Sequence, residues 1–409
     1  MGNDLRKGLS EEQWSALPQE ERNHRFAEWA KRHQAINSGQ SVASVNGVGP
    51  PGDNSSRLGK SVTVELKNGA DIKPEPIHWL WNGYIALGKF HILAGAAGCG
   101  KTTIAMNFAS TVSSGGCFPD GTTCKTGNVV IWSGEDDPQD TLAPRLIASG
   151  ADMSRIFFVD HVKENGKSAV FDPAKHVAAL SAAITAAGGA SLVIVDPVIS
   201  AVSGDSHKAS DTRRGLQPLV DMAMATRCAV FGITHFSKAT EGRSPLDRVT
   251  GSQAYGAFAR VVFVAGKDET NAKEGTASRH VFLRAKSNIG PDQGGFEYTL
   301  EQVAVPVAEC PGLTASVVRF GDLVDGNARE VLSDMEAEPI DDGGASHEAE
   351  AFLIDALAGG ALPAKQVQTL AKEAGVSMRT LWRAKKALRV RARKASMAGG
   401  WEWHLPEGE

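Results

Sequence analysis

The chain has 409 residues, of which 42% are hydrophobic and 22% charged, and its formal net charge is -4. This length suits about two or three domains, and the nearly balanced charge excludes any argument for nucleic-acid binding from the composition as a whole. No apolar run reaches the ~18–20 residues of a membrane-spanning helix, so we expect no membrane segment. The five cysteines, an odd number without a C-x-x-C pair, favour a reduced, cytoplasmic environment.

The first 60 residues are predicted to form a separate N-terminal segment. Residues 1–38 carry a sparse apolar face that includes Trp14, Phe26 and Trp29, which predicts one or two amphipathic helices. Residues 39–60 are rich in Gly, Ser, Asn and Pro and indicate a flexible linker. Nothing in this segment points to chemistry.

A phosphate-binding pattern follows the apolar run 90–94. Residues 95–103 have the spacing G-x-x-x-x-G-K-T and lead into a helical pattern, which is the strand, loop and helix order of a P-loop. Backbone N–H groups of small residues curl around phosphate oxygens, and the helix N-terminus adds donors. Lys101 is expected to reach the β- and γ-phosphates, and the Thr102 hydroxyl to ligate Mg²⁺. The competing interpretation is a flexible glycine turn that contains Lys and Thr by chance.

The predicted cofactors are therefore ATP and Mg²⁺. The predicted ATP-binding residues are Gly95, Ala96, Ala97, Gly98, Cys99, Gly100, Lys101, Thr102 and Thr103.

Three later apolar runs end in polar side chains. The first is followed by Glu135 and two aspartates, the second ends in Asp196, and the third ends in His235. Open α/β sheets bind ligands at the carboxyl ends of their strands, so we expect Asp196 to hold the magnesium shell beside Thr102. Trp79 and Trp81 precede the P-loop and suit either packing or a platform for the base.

Strand and helix patterns alternate from about residue 87 to 265, and strand patterns alone follow. Segments 280–286 and 296–300 indicate an antiparallel hairpin. The predicted fold class is therefore α/β, a P-loop NTPase with a mostly parallel sheet and an antiparallel edge.

The charge reverses near the C-terminus. Residues 322–350 are acidic and predict a linker or a loosely held helix, whereas 365–394 hold ten basic residues and one acid. Within the basic stretch, a short helix that ends near Gly375 and a second helix capped by Ser377 have helix-turn-helix spacing. The segment 399–405 then predicts the last strand of a wing. The competing interpretation is a small helical domain with a solvated basic face.

The order of these motifs resembles the RecA-like hexameric ATPases, and most closely the RepA-type replicative helicases of plasmids and phages. The resemblance covers residues 72–305 and includes the P-loop, residues 134–136, 193–197 and 234–238, and the stretch from Gly251 to Arg260. It implies a RecA-like fold, ATP hydrolysis and assembly into a homo-oligomeric ring, expected to be a hexamer. The C-terminal stretch also looks like the winged-helix-like tail of many members.

The resemblance assigns roles to particular residues. Lys101 and Asp196 match the phosphate-binding lysine and the magnesium-shell aspartate, and Glu135 matches the glutamate that polarises the attacking water. His235 matches a sensor of the γ-phosphate; a packed histidine at a strand end is the alternative. Arg260 matches an arginine finger offered to the next subunit, and Lys267 competes with it for this role.

Single-stranded DNA is the expected partner of the ring channel, and duplex DNA that of the C-terminal segment. The candidate DNA contacts are Lys208, Lys238, Arg243, Arg379, Arg383 and Lys386.

The predicted domains are an N-terminal segment (1–60), an ATPase domain (61–320), an acidic linker (321–347) and a helix-turn-helix domain (348–409). The predicted function is that of an ATP-hydrolysing DNA motor, a replicative helicase of a mobile element. The alternative is a DNA-binding regulator that uses its P-loop as a switch without unwinding DNA.

Overall fold

The computed structural model describes residues 17–18, 21, 24–25, 66–206, 208–237, 240, 243–249, 253–267, 280–336, 343–394 and 401–406. The chain divides into two compact units, Met1–Lys73 and Pro74–Glu409. In the first unit, Arg25 contacts Glu21 one helical turn away at 3.0 Å, and Gly69–Asp71 form a 3₁₀ turn. The predicted linker 39–60 and most of the predicted N-terminal helices lie outside the described residues.

The second unit contains alternating strands and helices followed by a run of strands. Its strands are β1 (Trp79–Trp81), β2 (Ile85–Ala86), β3 (Phe90–Gly95), β4 (Val129–Ser133), β5 (Ile156–Phe158), β6 (His161–Glu164), β7 (Lys167–Val170), β8 (Leu192–Asp196), β9 (Ala229–His235), β10 (Val261–Lys267), β11 (His280–Ser287), β12 (Gly295–Ala304), β13 (Thr314–Val324), β14 (Leu362–Pro363), β15 (Arg391–Lys394) and β16 (Trp401–His404). Its helices are α1 (Lys101–Ser114), α2 (Ala143–Ala148), α3 (Val177–Ala186), α4 (Ala209–Thr226), α5 (Pro245–Arg248), α6 (Gln253–Phe258), α7 (Ala328–Glu336), α8 (Gly343–Leu357), α9 (Ala364–Glu373) and α10 (Met378–Ala387).

A nine-stranded sheet organises the described part of this unit, in the order β13-β12-β11-β10-β3-β9-β8-β4-β5. The strands from β10 to β5 in this order pair in parallel, and β10 to β13 pair antiparallel. The predicted α/β class, with a mostly parallel sheet and an antiparallel edge, is therefore confirmed. The predicted hairpin is the β11–β12 pair.

Both faces of the central sheet are covered, which is why its strands read as continuous apolar runs. Successive residues of a strand point to opposite faces, so Leu93 joins one core and Ile92 and Ala94 join the other. The first core includes residues of α1 and α2, and the second includes residues of α3 and α4.

Trp81 anchors the chain segment that leads into the P-loop strand. It is fully buried and stacks on Tyr84 at 3.9 Å and on Phe118 at 4.8 Å between ring centroids. Aromatic pairs of this kind contribute packing energy beyond the area that they bury. Trp81 is therefore a core residue and does not offer a platform for a base.

The region predicted as an acidic linker or a loosely held helix contains the end of a strand and a packed helix over its described part. Strand β13 extends to Val324 and pairs with β12, and α7 buries Val331, Leu332 and Met335 against the sheet. The acidic side chains that suggested a linker alternate with these apolar residues at helical spacing, which gives an amphipathic helix. Residues 337–342 lie outside the described part of the chain.

The C-terminal residues form a compact module of α8, α9 and α10 with the three-stranded antiparallel sheet β14-β16-β15. Leu353, Leu381 and Trp403 are buried in its core. Gly375 has a φ of 77°, the left-handed conformation that ends helices. The Ser377 hydroxyl accepts a hydrogen bond from the Thr380 N–H at 3.2 Å and so caps α10, as the sequence predicted.

This module packs directly on the nine-stranded sheet unit. Trp382 of α10 joins the apolar cluster formed by β10, β11 and α7. Lys385 is buried, with its Nζ atom 4.9 Å from the ring centre of Trp382 and 4.5 Å from that of Trp403. Burial raises the pKa of Asp325, at the end of β13, while the charge of Lys385 and the Trp403 indole act in the opposite direction.

His91 is a buried histidine in strand β3, so its pKa reports on the interior of the sheet. Its Nε2 accepts from the Ala86 N–H at 3.0 Å and its Nδ1 lies 3.2 Å from the Val230 carbonyl, so the neutral ring satisfies both contacts. Burial lowers the pKa of His91 to about 4. Between pH 6.5 and 4 the unfolded chain therefore binds more protons than the folded chain. The free energy of unfolding consequently falls by about 3 kcal/mol as the pH falls through this range.

We expect His91→Gln to lower stability at pH 7 but to flatten its dependence on pH between 6.5 and 4. Urea unfolding at several pH values measures this, with His78→Gln as the control because His78 is exposed. An unchanged slope in His91→Gln would show that His91 does not titrate as described.

Candidate nucleotide-binding site

The P-loop lies between the central strand β3 and helix α1. Gly95 ends β3 so close to β10 that a Cβ atom there would lie 2.5 Å from the Ala265 carbonyl oxygen. The Lys101 Nζ donates to the Ala96 carbonyl at 2.8 Å, and the Cys99 thiol donates to the same oxygen at 2.9 Å. Residues 96–98 are exposed, so the loop is open on one side, as a phosphate-binding loop requires.

Thr102 and Asp196 bring two strong oxygen donors together. The Thr102 hydroxyl donates to Asp196 Oδ2 at 2.7 Å, although β9 lies between their strands in the sheet. Burial raises the pKa of Asp196 to about 6, helped by the charges of Glu135 and Asp136 and opposed by Thr102 and Lys101. A hydroxyl and a carboxylate are hard oxygen ligands of the type that Mg²⁺ prefers, so these residues fit the predicted magnesium shell.

Glu135 and His235 face each other across the same edge of the sheet. Glu135 Oε1 lies 3.7 Å from His235 Nε2, and both side chains are half-exposed. Partial burial and the charge of Lys101 lower the pKa of His235, while Glu135 acts against this shift. His235 is therefore mainly neutral at pH 7, and Glu135 remains available to accept a hydrogen bond from water.

The three carboxylates that follow β4 have separate contacts. Asp136 pairs with Arg145 of α2 at 2.9 Å. Asp137 caps the π-helical turn Pro138–Leu142 by accepting from the Gln139 N–H at 2.7 Å. Because these two aspartates are engaged in local structure, Glu135 is the carboxylate of this group that faces His235.

The two candidate trans cations lie at opposite ends of β10. Arg260 directly precedes the strand, and its backbone N–H donates to the Phe90 carbonyl at the start of β3, at 2.9 Å. Arg260 therefore lies at the sheet edge opposite the P-loop. Lys267 ends β10 beyond Ala265, which is paired with Gly95, so Lys267 lies at the P-loop edge.

The candidate DNA contacts fall into two groups. Lys208 and Arg243 are exposed and lie on the connections that leave the carboxyl ends of β8 and β9. These connections start at the same edge of the sheet as the P-loop. Lys238 lies outside the described residues. In the C-terminal module, Arg379, Arg383 and Lys386 belong to α10, and Arg383 is exposed.

Two residues that contact the P-loop were not predicted from the sequence. The Tyr298 hydroxyl donates to the Cys99 carbonyl, and a Cβ atom on Gly100 would lie 2.8 Å from Leu300 Cδ2. Both belong to β12, about 200 residues along the chain from the loop. No local pattern signals this contact, because it depends on how the antiparallel strands join the sheet.

Other kinds of site find less support in the described part of the chain. Within it, no group of three or more His, Cys, Asp or Glu side chains is arranged to hold a metal ion. The helices described also include none with the length and apolar character needed to cross a bilayer.

Comparison with known proteins supports the identity of the nucleotide-binding domain. Residues 55–241 match the family model described as "AAA domain", a range that contains the P-loop, Glu135, Asp196 and His235. A KaiC-like protein of Pyrococcus horikoshii OT3, known from a crystal structure, is similar with 18% identity over 60% of this chain and 100% of that chain, at a TM-score of 0.38. No curated protein matches the chain. The family match confirms the prediction of a P-loop ATPase domain.

Proposed function

We propose that the protein is an ATP-hydrolysing DNA motor that assembles into a ring, a RepA-like replicative DNA helicase. The observation that carries this proposal is the position of Glu135 opposite His235 and beside the Thr102–Asp196 pair. A P-loop that only binds nucleotide needs neither a carboxylate placed for water nor a polar group placed to detect the γ-phosphate.

The chemistry follows from these positions. Glu135 orients a water molecule for attack on the γ-phosphorus, so that the new P–O bond forms as the bond to the β-phosphate oxygen breaks, giving ADP and phosphate. Lys101 stabilises charge on the β- and γ-phosphates. Thr102 and Asp196 would hold a Mg²⁺ ion, which would supply further charge neutralisation. His235 then responds to loss of the γ-phosphate at the end of β9, next to the connection that carries Arg243.

The DNA-binding part of the proposal rests on two basic regions. Lys208, Lys238 and Arg243 belong to connections that leave the P-loop edge of the sheet, where a ring channel would place single-stranded DNA. We assign duplex binding to α9 and α10 as a helix-turn-helix unit with β15 and β16 as its wing, and Arg379, Arg383 and Lys386 as its contacts. The acidic linker of the predicted domain plan is then replaced by β13 and α7, which join the two domains.

Assembly into a hexameric ring completes the proposal. A neighbouring subunit would supply the cation that stabilises the transition state, a role worth a factor of about 10³–10⁵ in rate in related phosphoryl transfers. Of the two candidates for this cation, we favour Lys267 over Arg260 because Lys267 lies at the P-loop edge of the sheet in its own subunit. Arg260 remains available only if the opposite edge of the neighbouring subunit meets the nucleotide.

A strand-displacement assay with Mg-ATP, together with electron microscopy of the protein with nucleotide and DNA, tests the motor and the ring. The proposal expects closed rings and ATP-dependent displacement. A strict monomer without displacement would contradict it and favour the regulator that uses its P-loop as a switch.

Glu135→Gln should abolish turnover but retain nucleotide. Loss of the carboxylate that orients water is expected to lower kcat by about 10²–10⁴-fold, while the affinity for Mg-ATP stays within about threefold. The control is Asp136→Asn, which we expect to lower kcat by less than tenfold because Asp136 pairs with Arg145. Phosphate release and equilibrium nucleotide binding measure the two quantities, and equal losses in both variants would contradict the role of Glu135.

Arg383→Ala should weaken binding of duplex DNA by the whole protein. Removing one interaction between a cationic side chain and a phosphate lowers the slope of log Kd against log salt by about 1, so we expect a shallower slope as well as a weaker complex. Arg155→Ala is the control, because Arg155 is an exposed arginine of the ATPase domain paired with Asp152. Identical salt slopes in wild type and Arg383→Ala would remove Arg383 from the DNA interface.

A further inference from the structure

We infer that Tyr298 is a positioning residue for the nucleotide, because its hydroxyl fixes the P-loop peptide whose N–H faces the phosphates. This inference rests on the proposed nucleotide site and adds a residue from outside the P-loop sequence. It also gives the antiparallel strand β12 a role in ATP binding that is separate from closing the sheet.

Strand β12 contacts the P-loop through two residues on one face. The buried Tyr298 hydroxyl donates to the carbonyl of Cys99. Leu300, two positions further along β12 and therefore on the same face, lies against Gly100 so closely that a Cβ atom there would come within 2.8 Å of its Cδ2. Gly100 also has a φ of 76°, so both the backbone conformation and the contact with Leu300 require glycine.

The geometry of the peptide bond links this contact to phosphate binding. The C=O and N–H groups of a trans peptide point in opposite directions within one plane. Because the Cys99 carbonyl points to buried Tyr298, the N–H of Gly100 points away from it, toward the exposed side of the loop. The N–H groups of this part of a P-loop are those that hold the α- and β-phosphates.

The Tyr298 side chain is itself held in place. Its ring packs 5.1 Å from the His280 ring and 6.0 Å from the Phe320 ring between centroids. Burial raises the pKa of Tyr298, so the hydroxyl stays protonated and remains a donor. By contrast, the bonds from Cys99 Sγ and Lys101 Nζ to the Ala96 carbonyl stay within the P-loop and its helix, and neither of them involves the Cys99–Gly100 peptide.

Tyr298→Phe tests this role by removing one oxygen atom. Loss of the hydrogen bond frees the peptide to rotate, and we expect Mg-ATP and Mg-ADP to bind about tenfold more weakly. The two nucleotides should be affected equally, because the peptide serves the phosphates that they share. At saturating ATP, kcat should stay within about twofold of wild type, since a uniform loss of binding changes KM alone.

Tyr255→Phe is the matched control. Its hydroxyl is also buried, but within the described residues it has no hydrogen-bond partner, so its removal should leave both affinities within about twofold. Calorimetric titration of each full-length variant with Mg-ATP and with Mg-ADP gives the dissociation constants. Unfolding without nucleotide shows separately how far each change affects the fold.

The outcomes separate this inference from the proposed function. Unchanged affinities in Tyr298→Phe, with or without a loss of stability, would reduce Tyr298 to a structural residue and leave the ATPase proposal intact. A wild-type protein that binds neither nucleotide would overturn both. If Tyr298→Phe does not yield folded protein, Leu300→Ala removes the neighbouring contact with Gly100 and should weaken both nucleotides in the same way; unchanged affinities there would overturn the inference.

Discussion

The parallel pairing of β3, β9, β8 and β4 is the constraint on which the rest of the structure depends. Parallel strands present their carboxyl ends at one edge, so residues distant in sequence arrive at the same place. The hydrogen bond from Thr102 to Asp196 spans 94 positions of the chain and crosses the strand that carries His235. Because both sheet faces are buried, a shift of any one of these strands would expose apolar residues. Core packing therefore holds Thr102, Asp196 and His235 together at one edge of the sheet.

The antiparallel strands connect this edge to the C-terminal module. Strand β12 supports the P-loop through Tyr298 and Leu300, and β13 leads to Asp325, which interacts with the buried Lys385 of α10. A second route runs from the end of β9, where the Arg248 guanidinium lies 4.4 Å from the ring centre of Phe236 and pairs with Glu336 of α7 at 2.6 Å. Helix α7 in turn packs with Trp382 of α10. Charge pairs with one buried partner resist separation because an unpaired buried charge is costly. The basic module is thus joined to the nucleotide edge by packed contacts, as the proposed DNA-responsive ATPase would require.

Sequence patterns predicted the features that depend on local chemistry. The P-loop, the strand-end positions of Asp196 and His235 and the Ser377 cap each have a recognisable pattern within a few residues. Other features depend on long-range packing and have no local pattern. Local pattern alone does not distinguish Glu135, which only the family resemblance singled out, from its neighbouring aspartates, because the contacts of the aspartates depend on Arg145 and the helical turn that Asp137 caps. It does not reveal Tyr298, and the acidic side chains around α7 suggested a linker or a loosely held helix, although α7 contains as many apolar residues as charged ones. Arg260 fits the family pattern, yet its distance from the P-loop edge appears only once the sheet is assembled.

We propose above all that this edge of the sheet hydrolyses ATP in the service of DNA. The most direct test is the steady-state rate of phosphate release by the full-length protein with Mg-ATP, measured with and without single-stranded DNA at fixed salt. We predict a basal rate that single-stranded DNA increases severalfold, with both rates abolished in Glu135→Gln. A rate that is insensitive to DNA, or one that persists in Glu135→Gln, would contradict it.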